Sequence, residues 1–209
     1  MDKGILVVLS GPSGVGKGTV AKRLLARSNG RMVFSVSATT RTKRKNEKDG
    51  VDYFFVTGKK FDEMIASNEF LEYMNVFGRN YYGTPRKYVE QKLNEGLDVL
   101  LDIDVNGAMN VKQNYPDCLT IMLVPPTMKA LRSRLVNRGT EAIDVVERRY
   151  AEARTELQYA NKYDYIVIND NLDIAVAQCE QIIAGSRLSA VRCSSFIDTL
   201  LDNQEETII

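Results

Sequence analysis

The chain has 209 residues, 44% hydrophobic and 26% charged, which suits one globular unit with small inserts and argues against wholesale disorder. Lys and Arg number 28 against 27 Asp and Glu, and the resulting charge of +1 argues against a broadly basic nucleic-acid binder or an acidic tail. Histidine is absent, which removes Ser-His-Asp and Cys-His nucleophiles, His-containing metal sites and any imidazole switch.

In chain order, the apolar run 5–9 reads as a first strand, followed by a glycine-rich loop and a helical pattern over 19–28. A second strand is expected at 32–36. Residues 37–84 then turn polar, basic and aromatic, with hairpin-like runs at 53–56 and 70–77 and a short helix near 61–66. A helix over 85–95 leads to strands at 99–103 and 119–124. Helices follow over 128–137 and 144–160, then a strand at 165–168 and a helix over 172–184. One more amphipathic helix is expected after Leu188, ahead of a polar tail at 203–207. The strand runs are rich in Val, Ile and Leu without alternation, as in strands buried on both faces, and their succession with helices predicts a parallel α/β sheet. Two stretches, 37–84 and 132–150, read as insertions overhanging that core. The second carries Arg132, Arg134, Arg138, Arg148 and Arg149 around Gly139.

Cys118, Cys179 and Cys193 are widely spaced and odd in number, which fits reduced thiols used for packing. No run reaches the roughly 20 apolar residues of a membrane span, and the first apolar run is too short for a signal-peptide core, so a cytoplasmic protein is expected.

The sharpest motif is Gly11-Pro12-Ser13-Gly14-Val15-Gly16-Lys17-Gly18-Thr19, between the first strand and the first helix. Amides of such a turn point inward as a concave anion site, and the glycines Gly11, Gly14 and Gly16 permit the backbone angles and close approach it needs. The helix adds its positive N-terminus and Lys17 a full charge near terminal phosphates. Gly18 stands where this motif usually has the hydroxyl that meets Mg²⁺, and Thr19 is the expected substitute.

That loop is followed by Ser37-Ala-Thr-Thr-Arg41-Thr-Lys-Arg44, Asp49-Gly-Val-Asp-Tyr53-Phe-Phe, Phe70-Leu-Glu72-Tyr, Asn80-Tyr-Tyr82-Gly83-Thr84, Leu101-Asp102-Ile-Asp104-Val-Asn-Gly107 and Arg134-Leu-Val-Asn-Arg138-Gly. In this order the blocks resemble the guanylate kinases over residues 4–187. The resemblance implies transfer of a phosphoryl group from ATP to GMP, with dGMP as a second acceptor and Mg²⁺ accompanying ATP. It implies a three-layer P-loop fold: core 1–36, GMP-binding insert 37–88, core 89–130, lid 131–150, and core with C-terminal helix 151–209. By the same resemblance Glu72 and Asp104 read guanine, while Ser37 and Thr84 meet its O6 and N7 and Gly83 adjoins them. Arg41, Arg44, Tyr53 and Tyr82 hold the acceptor phosphate. Arg134, Arg138 and Arg149 act with Lys17 and Arg41 on the transferred group, and Asn169 lies at the adenine. Asp102 either binds Mg²⁺ through water or contacts the acceptor nucleotide. No nucleic acid or membrane partner is implied, and a homo-oligomer is compatible with the sequence.

These assignments make chemical sense. A carboxylate accepts both guanine N1–H and the N2 amino group, whereas adenine presents a lone pair at N1. Arginine forks fit phosphate oxygens, and a phosphate nucleophile, already mostly dianionic, needs no histidine. Two competing readings meet contrary features in the chain. Asp104-Val-Asn-Gly107 and Asn161-Lys-Tyr-Asp164 stand in the order of a GTPase's DxxG and NKxD, but the second precedes a strand instead of following one. A non-catalytic scaffold domain of the same fold would have lost the loop or its arginines, and this chain keeps both.

Overall fold

The computed structural model describes residues 3–76, 78–137 and 143–202. Its elements run β1 Leu6–Ser10, α1 Lys17–Arg27, β2 Met32–Phe34, β3 Ala38–Thr39, β4 Phe54–Phe55, α2 Gly58–Ala66, β5 Phe70–Val76, β6 Asn80–Pro85 and α3 Arg86–Asn94. They continue with β7 Asp98–Asp102, α4 Val105–Asn114, β8 Leu119–Val124, α5 Met128–Val136, α6 Ile143–Leu157, β9 Tyr165–Ile168, α7 Leu172–Ser186 and α8 Ala190–Asp202.

Five strands form one parallel sheet in the order β2-β7-β1-β8-β9. Successive side chains of a strand point to opposite faces, and here both faces are covered. Val7, Leu9, Leu100, Ile121 and Leu123 pack into one apolar layer with residues of α1, α5, α6 and α7. Leu6, Val8, Val99, Leu101 and Met122 pack into the other, with residues of α3 and α4. The unbroken apolar runs follow directly from this two-sided burial. β9 lies at the sheet edge, and three of its four residues remain exposed.

A second sheet, in the order β4-β3-β6-β5, carries α2. Its small core is aromatic: Phe61 stacks on Phe70 with ring centroids 4.5 Å apart, beside buried Ala38 and Met64. β5 and β6 form the antiparallel hairpin expected from run 70–77. Run 53–56 differs from expectation. Only Phe54–Phe55 is strand, and it pairs parallel to β3, because its partner lies upstream in sequence and across a long loop.

Other differences are smaller. The strand expected at 32–36 ends at Phe34, after which Ser35 makes one last bond to Leu100 O and the chain leaves the sheet. Pro85 closes β6 and caps α3, so the helix begins one residue later than its apolar pattern. α6 ends at Leu157, short of 160, and the chain continues through a 3-10 turn at Ala160–Lys162. α4 was not anticipated, and α8 occupies the stretch after Leu188. The expected polar tail at 203–207 lies outside the described residues. Among the described residues, no helix is long and apolar enough to cross a membrane.

Candidate active site

β1 lies between β7 and β8, so the loop leaving its C-terminal end emerges where the two halves of the sheet diverge, the usual ligand crevice of such sheets. Gly11 has φ +137°, and a Cβ there would stand 2.2 Å from Leu123 O on the neighbouring strand. At Gly16, φ is +103° and a Cβ would meet Asn169 Nδ2 at 2.6 Å. Both positions require glycine, by conformation and by contact. Lys17 Nζ donates to Gly11 O at 2.6 Å, which curls the lysine over the loop. The loop opens into a pocket of about 740 Å³ whose lining includes Ser13, Lys17, Gly18, Thr19 and Asp102.

Asp102 reaches this pocket because β7 pairs with β1 in the register Leu9↔Asp102. The pocket wall withholds water from its carboxyl and raises the pKa, while Lys17 opposes the rise. A Cβ at Gly18 would stand 3.4 Å from Asp102 Oδ2. The position with no hydroxyl thus faces this carboxylate, and Thr19 is exposed beside it. No cluster of three or more metal-binding side chains occurs among the described residues.

The arginines after β8 close on the same loop. Arg134 on α5 donates to Asn169 O at 2.8 Å and, at 3.4 Å, to Val15 O. Arg149 on α6 donates to Ser13 Oγ at 2.7 Å. Asn169 is buried, and its amide donates to Val15 O at 2.8 Å, so it braces the loop from the end of β9. Glu156, two turns along α6 from Arg149, faces the same loop: burial raises its pKa, while Lys17 and the Ser13 backbone pull it down. Sequence reading had not singled it out, although its helical spacing from Arg149 was the available signal. Arg138 lies outside the described residues. Arg132 and Arg148 pair with Glu147 and Glu152 at the surface.

The second sheet and α4 assemble the rest. Glu72 on β5 is buried, and Thr84 on β6 donates to its Oε1 at 2.6 Å. Asp104 caps α4, accepting from Gly107 N at 2.8 Å. Gly107 lies between the two acids: a Cβ there would be 3.4 Å from Asp104 Oδ1 and 3.5 Å from Glu72 Oε2. Burial first, then the neighbouring Asp104 charge, raises the Glu72 pKa, while its Thr84 bonds pull the other way. Gly83 is buried against Phe70 and the Glu72 carbonyl, and Ser37 O accepts from Phe54 N.

Around Arg41 the phosphate-type residues gather. The Tyr53 ring lies 5.4 Å from its guanidinium carbon, and Tyr53 and Tyr82 meet edge-on with centroids 5.9 Å apart. Arg41 forms a two-bond pair with Glu47, at 2.7 and 3.0 Å. Glu47 was missed in sequence because it is a lone acid in the basic run 41–48, and that oddity was its signal. Arg44 is exposed, as are Lys43, Lys45 and Lys48.

Asn161-Lys-Tyr-Asp164 has a structural explanation. Asp164 accepts from Thr120 N at 2.8 Å, from Thr120 Oγ1 at 2.7 Å and from Lys112 Nζ at 2.6 Å, tying β9 to β8 and α4 far from a base site of the GTPase kind.

Known proteins resemble this chain over nearly its whole length. A family model described as Guanylate kinase matches residues 3–186. The guanylate kinase of Symbiobacterium thermophilum is 48% identical over 201 residues, covering 96% of this chain and 94% of that protein. That of Oceanobacillus iheyensis is 45% identical, with 97% of each chain covered. The crystal structure of guanylate kinase from Anaplasma phagocytophilum superposes with a TM-score of 0.69 at 32% identity, over 92% of this chain and 90% of that one.

Proposed function

From the premise that this chain belongs to the guanylate kinase family, we propose that it transfers the γ-phosphoryl group of ATP to GMP, yielding ADP and GDP, and accepts dGMP as well. Its place is then cytoplasmic purine nucleotide metabolism. The observation that carries the reading is the carboxylate pair Glu72 and Asp104 facing each other over Gly107. Glu72 is already fixed by Thr84 and accepts guanine N1–H and N2–H, with Asp104 beside it. Adenine would set its N1 lone pair against a carboxylate, a mismatch worth on the order of 10⁴-fold.

The roles divide by element. The amides of residues 11–19 and Lys17 hold the ATP phosphates at the positive end of α1. Arg41, Arg44, Tyr53 and Tyr82 hold the phosphate of GMP, with Ser37 and Thr84 at the base edge. Arg134, Arg138 and Arg149 neutralise the phosphoryl oxygens in transit, and Asn169 borders the adenine. A GMP phosphate oxygen attacks the γ-phosphorus as the bond to the β–γ bridging oxygen breaks and ADP leaves. Neither step needs a protein base. Residues 37–88 and 131–150 act as insert and lid on the core 1–36, 89–130 and 151–209, and their closure excludes water.

Mg²⁺ fits this donor set. It prefers one or two protein oxygens plus phosphates and water, and the pocket offers Asp102 and Thr19 on either side of Gly18. Bound there with ATP, it supplies charge neutralisation on the phosphates. An ADP-release assay with Mg²⁺ATP against GMP, dGMP, AMP, UMP and CMP tests the proposal. Turnover confined to GMP and dGMP is expected, and comparable turnover with AMP refutes it.

A further inference from the structure

Resting on the GMP reading, we propose that Glu47 is a positioning residue for the acceptor phosphate: it grips the end of the Arg41 guanidinium and so presents that group's two-donor side edge to the phosphate of GMP. The geometry of the fork carries this. A guanidinium has five N–H groups in one plane. Its end edge is one N–H from each Nη, and its side edge is Nε–H with the second N–H of Nη2. Glu47 takes the end edge, Oε2 from Nη1 at 3.0 Å and Oε1 from Nη2 at 2.7 Å. Thr42 O takes the other N–H of Nη1 at 2.8 Å. These three bonds leave the side edge, two parallel N–H groups of the kind that meets two oxygens of one phosphate. The rings of Tyr53 and Phe55, 5.4 and 5.7 Å from the guanidinium carbon, add to the hold.

Glu47 is itself held in place. Arg44 N donates to its Oε2 at 2.8 Å, and the Glu47 amide donates to Arg44 O at 3.1 Å, a reciprocal pair that closes the turn 44–47. Side-chain exposure is 16% for Arg41 and 17% for Glu47. Arg41 first, then the Arg44 amide, hold the Glu47 carboxyl below the ordinary carboxylate range, so it is charged at neutral pH. One carboxylate therefore orders the side chain of Arg41 and the backbone of Arg44, the two arginines assigned to the acceptor phosphate. Its charge opposes the phosphate only weakly, because the run 41–48 sets five basic residues against Glu47 alone. Arg41 then meets the phosphate already in its bound rotamer and loses little freedom on binding.

E47D keeps the charge but is one methylene shorter, so it cannot hold both Nη groups and Arg44 N together. Calorimetric titration of GMP, with the ATP loop filled by a non-hydrolysable ATP analogue, compares wild type, E47D, R41M and the double variant. E47D should bind GMP about fivefold more weakly than wild type, the value of holding one long side chain in its bound rotamer. The double variant should bind it no more weakly than R41M, because Glu47 acts through Arg41. An equal E47D loss in both backgrounds assigns Glu47 to the fold of its loop alone and overturns the inference, as does unchanged or tighter binding by E47D. Those outcomes leave the GMP reading standing, whereas wild type that binds no GMP overturns both. A crystal structure of the wild-type GMP complex offers a check independent of any variant. Arg41 Nε and Nη2 on phosphate oxygens with the Glu47 pair intact supports the inference, and Glu47 turned off Arg41, or a side edge directed away from the phosphate, overturns it.

Discussion

At the glycine loop, residues 11–19, the groups proposed to face the donor phosphates are main-chain amides held by glycines and one lysine, and contacts from Arg134, Arg149 and Asn169 land on loop atoms. At the proposed acceptor end the corresponding groups are side chains, and an acid, Glu47, sits on Arg41. The contrast teaches where tuning is available. A backbone site changes only by losing its geometry, because no side chain stands between phosphate and amide. A side-chain site changes residue by residue.

The contrast is tested most severely by Gly11→Ala. With φ at +137° and Leu123 O 2.2 Å from the added carbon, roughly 3 kcal/mol or more of stability should disappear. Thermal melts and ATP titration should show fold and donor site failing together, and a near-normal melt would mean that the loop can yield. On the acceptor side, Arg44→Met should raise the KM for GMP roughly tenfold or more, the value of a charged hydrogen bond, with the KM for ATP unmoved. Equal changes for both substrates would blur the division between the sites.

Glu72→Gln should act in opposite directions on function and stability. Burial raises the folded-state pKa of Glu72 above its unfolded value, so its favourable contribution is complete below the unfolded pKa and is lost as pH rises through the folded one. At neutral pH the ionised carboxylate is therefore a burden. The variant should melt a few degrees higher at pH 7, an advantage that fades toward pH ~4, while its preference for GMP over AMP drops. An undiminished preference would remove Glu72 from base reading. The smallest kinetic effect is expected for Asp164→Asn. Burial alone would raise Asp164, but Lys112 and the Thr120 donors outweigh it and hold its pKa low. Its stabilising contribution is present above the unfolded pKa and lost as pH falls through the folded one. Melting at pH 7 should fall by a few degrees with kcat and both KM values unchanged, and altered nucleotide kinetics would revive a base-binding role for this motif.

Much of this was legible without coordinates. The five core strands and five of the helices follow from apolar runs that alternate between two packed layers, a signal set by neighbours along the chain. α4 was not, because Gly107 and three asparagines weaken its helical pattern. Those residues make sense only in place: Gly107 leaves room between two acids, and Asn114 donates to Leu71 O on β5. The parallel pairing of β4 with β3 was hidden for a related reason, since it depends on which segment folds alongside.

By itself, the sequence determined the phosphate loop and the parallel sheet beneath it, because glycine spacing, helix start and two-sided burial are properties of short consecutive stretches. The tertiary structure decided which acid meets which partner: Glu72 with Asp104 across α4, Glu47 on Arg41, Asp164 on Thr120. A carboxylate looks the same in a sequence whether it faces a second acid, pairs with an arginine or ties two strands. Only the groups folded against it, and the water they exclude, give it one of those tasks.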